Sequence, residues 1–147
     1  MIIRDERGFT LVEALISLVV LGIVSLISIN GVLNLHDYIR LNNVLTTFQA
    51  DLHYARDFNM LQLGIDERMI IRIYHEENRY KVLNGQEVLS ERVMPNNITI
   101  PNQNEVSTIA FTRNGNLGQG RTITFNSRYR SRRVVFSVGT GGFDVRN

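Results

Sequence analysis

The chain has 147 residues, a net charge of +2 and no cysteine. That length favours a single domain, and the missing thiols exclude a disulfide framework, a thiolate metal site and a cysteine nucleophile. The small net charge hides an asymmetry: from residue 113 onward seven Arg face Asp144 alone, whereas residues 1–112 are net acidic, and Lys81 is the sole lysine among 16 basic residues.

Residues 1–8 form a short charged leader in which Arg4 and Arg7 are balanced by Asp5 and Glu6, ending in Gly8. An apolar run follows over residues 9–29, and its one ionisable group is Glu13. As a helix these residues span about 31 Å, close to the roughly 30 Å hydrocarbon core of a bilayer. A carboxylate in such a segment costs about 2.5–3.5 kcal/mol at mid-bilayer, less toward the interface, so a partner for the charge is expected. A secretory signal would have a shorter apolar core and a small-residue cleavage site. A plain signal anchor explains the hydrophobicity but not Gly8 and Glu13 together. Gly22, Asn30, Gly31 and Asn34 are poor helix residues and are candidate loose points. Beyond them Leu41, Leu45, Phe48, Leu52 and Ala55 recur at helical spacing as one apolar stripe, with Arg40, Gln49, Asp51, Arg56 and Asp57 mostly on other faces. The pattern predicts a helix from Thr10 to about Leu63, stopped near Gly64. Its first half (9–35) would cross the membrane. Its second half opens an extracytoplasmic domain (36–147).

From residue 68 the period changes to two. Strands are predicted at 69–74, 80–83, 87–93, 108–113, 121–126, 132–138 and 143–146, with turns at Glu77-Asn78 and Asn84-Gly85. Pro95-Asn96-Asn97 and Pro101-Asn102 interrupt the pattern, 114–120 reads as a loop and 139–142 as a tight turn. The fold class is α+β: a long N-terminal helix, transmembrane then amphipathic, packed on an antiparallel sheet. Arg128, Arg130 and Arg132 alternate, so on a strand they would share a face, and Arg133 adds a charge from the opposite side or a bend. With Tyr129 they form a candidate DNA contact, weighed against a plain solvated face or ion pairs to neighbouring subunits. No catalytic constellation is present. Gly115, Gly118 and Gly120 lack the following Gly-Lys-Ser/Thr of a phosphate loop, and His36, His53 and His75 lack metal-ligand spacing. No metal and no cofactor is expected, and Asn97-Ile98-Thr99 is a chance glycosylation sequon.

The run Arg7-Gly8-Phe9-Thr10-Leu11-Val12-Glu13-Ala14-Leu15 resembles the processing site of type IV prepilins and pseudopilins. The resemblance implies cleavage between Gly8 and Phe9, N-methylation of Phe9, and a filament-assembly role for Glu13 as partner of a neighbouring subunit's terminal ammonium. The leader departs from the family in lacking net positive charge. In the second half, residues 109–115, 120–125 and 132–143 resemble H-type minor pseudopilins and T-type minor pilins, whose β-sandwich-like domain packs on the helix. The cysteine-free short domain is most similar to the D-type minor pseudopilin of the Gram-positive competence pilus. The implied function is a non-enzymatic minor subunit that helps initiate or prime a DNA-uptake filament. The alternatives are a type II secretion pseudopilus subunit and a filament-surface DNA-binding module. Implied partners are other major and minor pseudopilins, prepilin peptidase, the assembly platform protein and its motor ATPase, membrane lipid before assembly, and DNA. The implied location is the cell membrane with a cytoplasmic N-terminus, then the surface filament.

Overall fold

The computed structural model describes residues 10–61, 68–101 and 105–146, without the side chains of 27–30. The chain divides into two compact units, residues 1–36 and 37–147. One helix, α1 (Leu11–Leu61), runs through both. It begins where the sequence predicts and passes through Gly22, Asn30 and Gly31 as unbroken helix, so none of these residues loosens it in the isolated chain. A Cβ at Gly22 or Gly31 would meet nothing within 4 Å, so neither glycine serves close packing inside this chain. The predicted stop at Gly64 lies outside the described residues.

In the first unit the described apolar side chains of α1 from Leu11 to Leu35 are all exposed, with Leu11 at 79% and Leu26 at 68%. No face is distinguished by burial. In the second unit one face is buried. Leu41, Leu45, Phe48, Leu52 and Ala55 are each at most 4% exposed, so the stripe read from spacing is the helix's core face.

The strands are β1 (Met69–Tyr74), β2 (Arg79–Asn84), β3 (Glu87–Val93), β4 (Val106–Ala110), β5 (Arg121–Asn126), β6 (Ser131–Phe136) and β7 (Phe143–Arg146). They form two antiparallel sheets, ordered β3-β2-β1-β4 and β5-β6-β7. Alternation sets the inner faces: Met69, Ile71 and Ile73 point inward from β1, and Ile123 and Phe125 from β5. A register shift between Val82 and Leu83 turns two successive residues of β2 inward. Phe48 joins the two sheets to the helix, its ring centroid 5.1 Å from both Tyr80 of β2 and Phe125 of β5.

Two predicted strands shift. The fourth ends at Ala110 and not Arg113, because the Thr112 and Gly115 amides bond back across the loop to Asn116 and Thr112. The sixth ends at Phe136 and not Val138, because the Ser137 amide bonds to the Gly142 carbonyl and the chain turns.

The interrupted stretch between β3 and β4 is also core. Met94, Ile98 and Ile100 are buried. Asn78, at φ 50, clamps this stretch by donating to the Ile98 carbonyl and accepting from the Ile100 amide. Thr99 pairs with Asn126 at the end of β5. The connection thus ties one sheet to the other.

At the opposite end of the second unit two loops meet through glycines. Gly141 (φ 60) is buried, and a Cβ there would sit 1.6 Å from the Gly115 carbonyl oxygen. No side chain fits without moving the 114–120 loop.

Two substitutions test this packing in the full chain in detergent. Phe48→Ala is expected to cost about 3–5 kcal/mol of unfolding free energy. Gly141→Ala should lower the melting temperature clearly, whereas Gly118→Ala, where a Cβ meets nothing within 4 Å, should leave it nearly unchanged.

Candidate functional site

The N-terminal site is built on the first turn of α1. The Glu13 amide bonds to Thr10 Oγ1 at 3.3 Å, and the Ala14 amide to the Thr10 carbonyl at 3.1 Å. Thr10 is therefore the N-cap and Glu13 the third helical residue, the spacing of a capping box. The positive end of the helix dipole also favours a carboxylate there. The polar atoms that follow are satisfied within the helix. Ser17 Oγ donates to the Glu13 carbonyl at 2.8 Å, and Ser25 Oγ to the Leu21 carbonyl at 2.7 Å, which is what an apolar surrounding requires. The Glu13 carboxylate is the exception: it is exposed, and no described residue of the chain pairs with it. Gly8 and Phe9 lie outside the described residues.

The second site gathers at the start of the globular unit. Asp37 is 4% exposed and lies one turn before Leu41, at the head of the buried stripe. Its Oδ2 accepts from Ser127 Oγ at 2.5 Å and from the Tyr129 amide at 3.4 Å, and its Oδ1 accepts from Asn97 Nδ2 at 2.9 Å. Burial alone would push this carboxyl's pKa up. The bonds from Ser127, Asn97 and the Tyr129 and Arg128 amides outweigh it and hold the pKa below the ordinary 3.8. The carboxylate thus fixes the turn between β5 and β6, which the Ser127 amide closes onto the Arg130 carbonyl.

The arginines divide accordingly. Arg128 and Arg130 are exposed on this turn and not on a strand, while Arg132 and Arg133 open β6. Arg132 pairs with Phe125 and Arg133 with Thr124 and Arg146. The first of these two therefore ends the core-facing row and the second lies on the outer face. Arg128, Arg130 and Arg132 therefore do not share one strand face, and Arg133 lies on the opposite face from Arg132. The Arg130 guanidinium sits 4.9 Å from the Tyr38 ring centroid, and that of Arg128 5.5 Å from the Tyr129 ring.

Sequence reasoning missed two polar anchors of the helix. Asn59 is 4% exposed at the far end of the stripe. It accepts from the Met69 amide at 2.8 Å and donates to the Met69 and Phe111 carbonyls at 2.9 and 3.2 Å. Asp51 accepts from the Tyr80 hydroxyl at 2.7 Å and lies 3.6 Å from Arg92 Nε. Burial and the Asp51 carboxylate together push the Tyr80 pKa well up, so Tyr80 stays a neutral donor. Asn59, like Asp37, carries one sequence signal, its position: continued at helical spacing, the stripe of five apolar residues meets both; Asp51 lies off the stripe and carries none. The sequon asparagine, Asn97, spends its amide on Asp37. His75 is taken up by the Ile100 carbonyl and Ser107 hydroxyl, and His53 stacks near Phe143 at 4.7 Å. Among the described residues no group of acidic or histidine side chains could hold a metal.

The comparisons fit this division. Residues 3–29 match the family described as the prokaryotic N-terminal methylation motif. No curated protein is significantly similar to the chain. Among solved structures, the type IV minor pilin FimU of Pseudomonas aeruginosa (strain PAO1) superposes with a TM-score of 0.54 at 18% identity, over 72% of this chain and 92% of that one. The chain therefore joins a prokaryotic N-terminal methylation motif to the fold of that pilin: one long helix packed on antiparallel sheets. Its apolar N-terminal helix is long enough, by length and composition, to cross a membrane.

Asp37 gives a pH test. With its folded pKa depressed, the stability it confers is complete above the unfolded value of about 3.9. It is lost as pH falls through the folded value. Asp37→Asn should lower the melting temperature at pH 7 and narrow the difference between pH 7 and pH 3. Some acid dependence will remain from Glu91. Desolvation opposes its charge but is outweighed by Arg79 and Lys81, which hold its pKa low.

Proposed function

We propose that the chain is a minor subunit of a type IV pilus or pseudopilus, structural and not catalytic. Cleavage after Gly8, methylation of Phe9 and assembly through Glu13 would follow. The observation that carries this reading is Glu13: a charge in an exposed apolar helix, inside a methylation motif, with no described partner in its own chain. Cleavage before Phe9 would create an ammonium one helical turn away in each subunit. In an apolar surrounding an unpaired carboxylate and an unpaired ammonium attract strongly, and a pair made between subunits sets their axial register. The complementary design is visible in the second unit, where side chains of α1 are committed to two sheets. Assembly contacts then fall to the exposed first unit.

The finer reading is a competence pilus that takes up DNA, with the subunit helping to start or prime the filament. It rests on the resemblance of the β4–β7 region to minor pseudopilins and on the cysteine-free domain. The protein would sit in the cell membrane with its N-terminus cytoplasmic, and then in a surface filament. Other pilins, the peptidase, and the platform and motor proteins would be its partners.

Two experiments test these levels. Co-expression with a prepilin peptidase should give a product starting at N-methylated Phe9, lost in Gly8→Leu. In Glu13→Gln cleavage should persist while incorporation into filaments fails. An uncut chain would remove the pilin assignment. Deletion of the gene in its source organism should abolish transformation and leave protein export intact; the opposite pattern would move the subunit to a secretion pseudopilus.

A further inference from the structure

The last turns of α1 lie against the loop that follows β4. Gly115 (φ 72) has no side chain, and a Cβ there would stand 2.5 Å from Met60 Sδ and 3.0 Å from Arg56 Nε. The sulfur and the guanidinium nitrogen therefore converge on one point beside the Gly115 backbone, as side chains four residues apart on a helix can. The Gly115 amide closes the loop onto the Thr112 carbonyl at 2.9 Å, and the Gly115 carbonyl is the group against which Gly141 packs. Met60 thus touches the backbone at which the two loops meet. Of the methionines in the described residues it is 45% exposed, whereas Met69 and Met94 are buried. Arg56 Nε is buried and has no hydrogen-bond acceptor among the described residues. A thioether sulfur is only a weak acceptor, and a buried donor left without an acceptor costs free energy.

We propose that Met60 is an oxidation site whose sulfoxide oxygen is received by Arg56, so that the oxidised side chain keeps its place against Gly115 and the domain stays folded. The oxidant is a peroxide. The sulfur lone pair attacks one peroxide oxygen, the O–O bond breaks and an S–O bond forms. The proton on the transferred oxygen passes to the departing hydroxide, which leaves as water. The sulfur loses two electrons and the peroxide gains them. A sulfoxide is polar, and in most packed sites it disrupts its surroundings because the new oxygen finds no partner. Here an unsatisfied donor stands beside the sulfur, and hydrogen bonds from a guanidinium are among the stronger ones. Methionine sulfoxide reductases return the thioether, so the change is reversible. All these groups lie in the second unit, and the proposal does not depend on the pilin reading.

The full-length chain in detergent, treated with hydrogen peroxide, tests this. Peptide mass mapping should find an added oxygen at Met60 before Met69 or Met94. In the oxidised chain one arginine Nε–H resonance should move downfield and exchange more slowly with solvent. That resonance should be missing from Arg56→Lys, and no arginine Nε–H resonance should move in Met60→Leu. Oxidation should leave the melting temperature of the native sequence nearly unchanged and lower that of Arg56→Leu by about 4 °C or more. A methionine sulfoxide reductase should restore both the mass and the resonance. Earlier oxidation at a buried methionine, no moving resonance, or an equal loss of melting temperature with and without Arg56 would overturn the proposal. Should Arg56→Leu not fold, the resonance of the native sequence decides alone.

Discussion

One continuous helix has to satisfy two different surroundings, and the rest of the structure follows from that. Over the first unit its side chains are apolar on every face, and the hydroxyls of Ser17 and Ser25 turn back onto their own backbone. From Asp37 onward it is amphipathic and gives one face to two sheets. The change is abrupt: Leu35 is 59% exposed and Asp37 only 4%. A buried carboxylate at that boundary requires several donors at once. Those donors come from the crossover connection and from the β5–β6 turn, so both segments are tied to the point where the helix changes character.

The second half of the helix was legible because apolar spacing of three and four residues has few other interpretations. The five apolar positions of the stripe are all buried. Its polar ends were not legible. An aspartate or asparagine in a helical pattern reads as solvent-facing, and only tertiary partners reverse that. Asp37 and Asn59 supply what the apolar stripe cannot, hydrogen bonds with directions. Burying Leu52 or Phe48 stabilises many slightly different helix placements about equally well, since apolar contact is non-directional. Three bonds from Asn59 to the backbone of β1 and to Phe111, and the bonds to Asp37, select one axial and rotational setting.

Alternation likewise revealed all seven strands, with ends displaced where loop hydrogen bonds capture the chain. It did not reveal the crossover at Met94–Ile100, because Pro95, Asn96 and Asn97 read as breakers and mask three buried apolar residues. Here an asparagine side chain takes the place of a strand partner: Asn78 bonds to the Ile98 carbonyl and the Ile100 amide, so the irregular backbone at these two residues is satisfied inside the domain. The arginines were misplaced for a related reason. Counting residues two apart puts Arg128, Arg130 and Arg132 on one face if the strand is continuous, but Ser127 and Asp37 turn the chain between the first two.

That turn links the electrostatics of the chain to its fold. Residues after 113 carry the positive charge and residues before it the negative, yet at this turn the buried acid and the exposed bases do not pair directly. Asp37 does not pair with Arg128 or Arg130; it binds the amides and hydroxyl of the turn that carries them. Had either guanidinium closed on Asp37, the turn would present a neutral surface. Satisfying Asp37 through hydrogen bonds from uncharged donors leaves the arginines outward, where their nearest companions are aromatic rings. The same logic governs Glu13, where cap and dipole favour the charge but leave its oxygens open. In both places the fold stabilises a carboxylate with neutral groups, and among the described residues no ion pair closes on Glu13, Arg128 or Arg130.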